Sequence, residues 1–160
     1  DVRAMVALRL PETRIKALAG DPDRRVRMTV ARRLDGQDLV PLLTDPDYGV
    51  REVAARRAPP DLLVLVVRDE DPEVRREAAR RLDERRLWTL AADEDPSVRV
   101  IVAERIAPER LRLLVHDPDV RVRFVVAERI PLAELDLLAE DPDEVVRDVV
   151  ADRWKTEGGQ

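Results

Sequence analysis

The dipeptide Val-Arg returns every 24 residues, at Val2-Arg3, Val26-Arg27, Val50-Arg51, Val74-Arg75, Val98-Arg99, Val122-Arg123 and Val146-Arg147. No insertion interrupts the spacing. Other positions keep the same register: Ala at 7, 31, 55, 79, 103, 127 and 151, and a second Arg at Arg9, Arg33, Arg57, Arg81, Arg105, Arg129 and Arg153. Asp recurs at 21, 45, 69, 93, 117 and 141, and again as Asp23, Asp47, Asp71, Asp95, Asp119 and Asp143. A fixed period of this length constrains the fold strongly. Each unit has to be one supersecondary element that cannot bury its apolar face alone and is completed by the next unit along.

Within a unit, Asp117-Pro118-Asp119 signals a turn and a helix start, because an Asp can accept from the free amides of the first turn and its charge suits the positive end of the helix dipole. In Asp71-Pro72 and Asp95-Pro96 the proline falls where a first helical residue needs no amide. About ten helical residues follow, with apolar positions Val122, Val125, Val126 and Ile130 at helical spacing. Proline then breaks the chain, as Pro11, Pro59-Pro60, Pro108 or Pro131. A shorter element over about 132–139 carries apolar pairs three apart, such as Leu39 with Leu42, Leu111 with Leu114 and Leu135 with Leu138. That spacing suits a 3-10 turn or a single short α-turn, and Pro41 argues against a long α-helix there. Helices this short are marginal in water, so stacking has to stabilise them.

The pattern Asp-Pro-Asp, Val-Arg-x-x-Val-Ala-x-Arg-Leu, Pro and Leu-x-x-Leu, seen at Asp117 to Leu138 with Ile130 at the Leu position, resembles the leucine-rich repeat variant family along essentially the whole chain. The resemblance implies an all-α, right-handed superhelical solenoid of alternating α and 3-10 helices, about seven repeats, without strands. Units are expected near 1–20, 21–44, 45–68, 69–92, 93–116, 117–140 and an incomplete 141–154, forming one solenoid over 1–154 with a disordered tail at 155–160. The family's repeats can follow a cysteine-rich iron–sulfur module. This chain has no cysteine, so no such cluster is carried over to these residues, and one is expected only in a flanking module. The first helix opens mid-pattern and the last repeat lacks its short partner, so the expectation is either a fragment of a longer protein or a chain with associated neighbours at its ends.

The two arginine columns hold the main structural expectation. On a wheel of about 100° per residue with Val122 at zero, Arg123 and Arg129 fall at about 100° and 340°, inside the apolar arc. A buried guanidinium needs partners. The expected ladder joins both arginine columns, Arg3, Arg27, Arg51, Arg75, Arg99, Arg123 and Arg147 with Arg9, Arg33, Arg57, Arg81, Arg105, Arg129 and Arg153, to the second Asp column, as in Asp119 with Arg123 four residues on. Guanidinium bonds to free carbonyls at helix ends are expected beside it. The competing reading is that the arginines line a groove for phosphate or an acidic peptide. The freer face carries Arg32, Glu52, Arg76, Glu104, Glu128 and Asp148.

Charge and composition exclude several classes. The chain has 29 basic and 34 acidic residues, net -5, so no bulk basic excess favours nucleic acid. Charged residues make up 39% and aromatics 2%, with 44% hydrophobic, which suits many short helices rather than disorder. No apolar run approaches the roughly 20 residues of a membrane span. Together with the lack of cysteine and of leader character, this gives a cytoplasmic expectation. His116 is the sole histidine and Ser97 the sole serine, so neither a metal site nor a nucleophilic triad can be assembled around them. Acid clusters such as Asp69, Glu70 and Asp71 recur at every junction, so helix capping explains them better than calcium or acid–base chemistry. The tail Gly158-Gly159-Gln160 is expected to fray.

The sequence therefore favours a non-enzymatic scaffold for protein–protein interaction. An accessory module of an iron–sulfur redox protein and a polyanion or nucleic-acid binder through the arginine columns are the alternatives. Trp88, in a column held elsewhere by Lys16, Val40 or Arg112, is the first candidate for a partner contact. Trp154, in a column of Leu, Ile or Ala, is the second, or a cover for the C-terminal face.

Overall fold

The computed structural model describes residues 2–158. Two compact units divide the chain, 1–82 and 83–160. The first contains long helices α1 (Val2–Ala7), α2 (Arg24–Arg33), α3 (Tyr48–Arg57) and α4 (Pro72–Arg81). The second contains α5 (Pro96–Arg105), α6 (Val120–Arg129) and α7 (Glu144–Glu157). Within each unit consecutive long helices pack side by side, and no strand occurs among the described residues.

From α2 onward every long helix starts at the second Asp of a junction. Asp23, Asp47, Asp71, Asp95, Asp119 and Asp143 are extended N-caps whose carboxylates accept from the amide two residues on, at 2.8–3.0 Å. Pro72 and Pro96 are the first helical residues of α4 and α5. The helices end where the backbone turns extended at Leu34, Ala58, Leu82, Ile106 and Ile130. At Ala58 and Ile130 the following proline enforces this, since its ring clashes with an α-conformation in the residue before it.

The core is as periodic as the sequence. Val26, Val50, Val74, Val98, Val122 and Val146 are fully buried, as are Ala31, Ala55, Ala79, Ala103 and Ala127, and Ile15, Leu39, Leu63, Leu87, Leu111 and Leu135 from the short elements. Each buried Val, Leu or Ile contributes about 1.5–3 kcal/mol, so the same few positions stabilise every repeat.

The short elements divide in a way the spacing of three could not predict. Leu62–Val66, Pro108–Leu114 and Leu132–Leu138 are 3-10 throughout. The other three join a four-residue α-turn to a 3-10 turn: Glu12–Ile15 before Lys16–Leu18, Val40–Leu43 after Gly36–Leu39, and Glu84–Leu87 before Trp88–Leu90. Pro41 is the second residue of its α-turn, where its missing amide has no helical partner to lose.

The expected tail from residue 155 needs correction. Helix α7 continues to Glu157, because Arg153 forks onto the Glu157 carboxylate at 2.8 and 2.9 Å and Thr156 Oγ1 donates to the Asp152 carbonyl. Gly158 ends it, and residues 159 and 160 lie outside the described residues.

Candidate interaction surfaces and the arginine columns

The first arginine column joins one junction to the next. Arg27 donates through Nε and Nη2 to the Asp45 carboxylate at 2.7 and 3.0 Å, and through Nη1 to the Asp21 carbonyl at 2.8 Å. Arg51 makes the same three bonds to Asp69 and the Asp45 carbonyl. Arg99 makes them to Asp117 and the Asp93 carbonyl. Arg123 makes them to Asp141 and the Asp117 carbonyl. Both ends of each guanidinium thus land on the first Asp of a junction, at positions 24 apart. Arg75 and Arg147 hold the carbonyls of Asp69 and Asp141 at 2.7 and 2.6 Å, and Arg3 lies 3.7 Å from Asp21.

This geometry corrects the expected pairing with the second Asp column. The carboxylates of Asp23, Asp47, Asp71, Asp95, Asp119 and Asp143 cap their own helices instead. Where arginine reaches that column it comes from elsewhere, as Arg24 on Asp47 at 3.1 Å and Arg121 on Asp119 at 2.9 Å. The carboxylates that an arginine forks, Asp45, Asp69, Asp117 and Asp141, are held from a second side as well. Asp21, Asp45, Asp69, Asp93, Asp117 and Asp141 each accept from the amide two residues on, at 2.8–2.9 Å.

The second column closes helix ends. Arg33 donates to the carbonyls of Ala7 and Leu10, and Arg153 to those of Ala127 and Ile130, at 2.7–2.9 Å. Arg129 binds the Ala103 carbonyl and, at 3.0 Å, that of Ile106. Arg81 donates to the carbonyls of Ala55 and Arg56, and Arg57 to that of Leu34 and to the Asp35 carboxylate. These oxygens lie at the C-terminal end of the preceding long helix, where carbonyls have no intrahelical donor and the dipole favours a cation. Arg9 and Arg105 are exposed at the ends of their segments.

The bonds show in the titration of the carboxylates. Burial pushes Asp141 up, but the Arg123 fork, the Asp143 amide and the nearby charges of Arg123 and Arg147 bring it below the usual range. Burial likewise raises Asp47, and the Arg24 bond with the amides of Val50 and Gly49 more than offsets it. The Arg121 fork draws Asp119 down to about 2.

Three of the grooves among the described residues bear on the candidate sites. One of about 590 Å³ lies between the loops at 115–118 and 136–142, beside Arg123, and includes His116 and Leu137. One of about 420 Å³ is lined by Arg32, Asp35, Val53, Arg56 and Arg57. The third, about 320 Å³, is lined by Val100, Val120, Phe124, Val125 and Val145, with Arg121 and Asp143 at its edge. This apolar groove falls on the face where other repeats carry Glu52, Arg76 and Asp148. The sequence reading did not single out Val100 or Phe124. The available signal was the replacement of charge by apolar residues in that column. Trp88 is half-buried and lines none of the three grooves, whereas Trp154 is exposed on α7. Among the described residues no group of three or more His, Asp or Glu is arranged to hold a metal ion, and no helix is long and apolar enough to cross a membrane.

The fold and its arginine clamps define an all-helical repeat protein that alternates α and 3-10 helices. The profile of the leucine-rich repeat variant family matches residues 1–23 and 96–119. A solved structure, described as a leucine-rich repeat variant with a novel repetitive protein structural motif, matches with TM-score 0.90 and 43% identity over 95% of this chain. The chain carries repeats that match the leucine-rich repeat variant model and shares the fold of that solved protein. It spans 65% of the length of that solved protein, and no curated protein matches it.

Proposed function

We propose that this chain is a non-catalytic scaffold that binds a protein partner on the face formed by α5, α6 and α7. The observation that carries this reading is the apolar groove around Phe124. On a face where other repeats carry Glu52 and Arg76, Val100, Val120, Phe124 and Val145 line one groove over the buried Val125, with Val145 55% exposed. A partly exposed apolar groove that includes an aromatic side chain is the kind of feature that anchors protein interfaces. The arginine columns are less suited to this role, since the clamped guanidiniums already spend their donors on carboxylates and carbonyls of the chain itself. That also counts against a polyanion groove built from them.

The test is affinity capture with the chain as bait, comparing wild type, the Val100→Asp/Phe124→Ser pair and Trp88→Ala, each checked for unchanged helicity by circular dichroism. Partners should be lost with the groove variant and retained with Trp88→Ala. Undiminished capture by the folded groove variant would place the interface elsewhere.

A further inference from the structure

We infer that the occupant of the Phe124 groove is an amphipathic helix with lysine or arginine flanking its apolar stripe. The inference rests on the scaffold reading above and deepens it by assigning the chemistry of the partner. On a helix, a residue and the one four positions later share a face. Glu104 therefore lies one turn beyond Val100 on α5, Glu128 one turn beyond Phe124 on α6, and Asp152 one turn beyond Asp148 on α7. All four carboxylates are exposed. Glu104 and Glu128 have no ion-pair partner among the described residues, while Asp152 meets Lys155 only at 3.4 Å on the open surface.

The same column carries Arg32, Arg56 and Arg80 in the first unit. The acidic rank is thus particular to the helices that bear the groove. It also sits in the more acidic half. Residues 83–160 hold 12 basic and 19 acidic residues, net -7, whereas residues 1–82 hold 17 and 15, net +2. Arg121, the cation that lines the groove, is neutralised by its fork onto Asp119. An apolar trough with exposed carboxylates one helical turn away on the same face complements a helix whose apolar face is bordered by cations. The trough supplies apolar burial, and the carboxylates supply selectivity and faster encounter.

The test uses two labelled synthetic helices of about 18 residues with the same leucine stripe, one flanked by lysine and one by glutamate, titrated against the full chain by fluorescence anisotropy. The cationic helix should bind at least tenfold more tightly at low salt, and the preference should shrink as salt rises. Glu104→Gln/Glu128→Gln should remove most of the preference, while Glu109→Gln/Glu140→Gln, exposed carboxylates off this face, should preserve it. Phe124→Ser should weaken the cationic helix severalfold.

Equal or tighter binding of the anionic helix, or an equal effect of the two Glu→Gln pairs, would overturn the inference. So would binding of neither helix. Equal binding of both that Phe124→Ser weakens would leave the docking face standing and remove only the charge assignment. The capture experiment decides the docking face independently. A concentration-dependent dimer in sedimentation velocity, dissolved by Phe124→Ser, would give the groove to a second copy and also overturn the inference.

Discussion

Arg123 shows what one side chain does in this architecture. The residue is 9% exposed, and Asp141, which it grips with two bonds, is 6% exposed. Removing one partner of a buried, hydrogen-bonded pair leaves the other charge desolvated and alone, which costs about 3–5 kcal/mol. Arg123→Leu should lower the urea unfolding free energy at neutral pH by about 3 kcal/mol, and Arg123→Lys should recover little, because a single ammonium cannot fork onto a carboxylate and reach a carbonyl together. A loss below about 0.5 kcal/mol, the level of an ordinary surface substitution, would show the clamp to be idle. The sequence made the burial of these arginines readable through their place on the helical wheel. It did not reveal the acid that meets them, because the nearest one along the chain, Asp119, caps its own helix, and the true partner lies 18 residues on and becomes adjacent only after stacking.

Helix boundaries were the most readable part of the chain, since the capping Asp and the terminal Pro act locally. Asp47 accepts from both Gly49 and Val50, so Asp47→Ala should cost about 1 kcal/mol, measurable as a shift of the denaturant midpoint at unchanged slope. At the opposite end of α5, Arg129→Leu would leave the carbonyls of Ala103 and Ile106 without their donor. A loss of about 1–3 kcal/mol is expected, and a stability equal to wild type would mean that water replaces the arginine freely. The short elements were less readable. A leucine pair three apart satisfies an α-turn and a 3-10 turn equally, and what divides Leu132–Leu138 from the mixed element at 84–90 is backbone detail that apolar spacing does not encode. The apolar groove went unread for a related reason: Val100 and Phe124 sit in a column whose other members are Ala4, Met28, Glu52, Arg76 and Asp148, and variability there resembled ordinary surface drift.

At the scale of the whole molecule, acid should be the effective denaturant. Asp47, Asp119, Asp141 and Glu157 are all held below the ordinary carboxylate range. A carboxyl whose folded value is depressed adds stability that is complete above its unfolded value of about 4 and is lost as pH falls through the folded value. Thermal midpoints by circular dichroism should therefore hold steady from pH 7 to about 5 and fall steeply from about pH 4 toward 2, where Asp119 itself takes up a proton. Asp141→Asn should lower the midpoint at pH 7 and flatten that decline. A mutant curve parallel to wild type would remove Asp141 from the acid response.

The reach of the junction clamps also limits how the chain length can change. Each of these arginines touches a carbonyl six residues behind it and a carboxylate eighteen ahead, so adding or dropping one residue inside a block would break the cross-link at that joint. Loss of a whole block is another matter. Excising residues 117–140 would bring Arg99 to the carboxylate of Asp141 in the register it now keeps with Asp117. Such a shortened chain should remain folded, whereas a 23-residue excision should not. Block length in this protein is thus set by side-chain span rather than by loop tolerance, and viable length variants should come in multiples of the repeat.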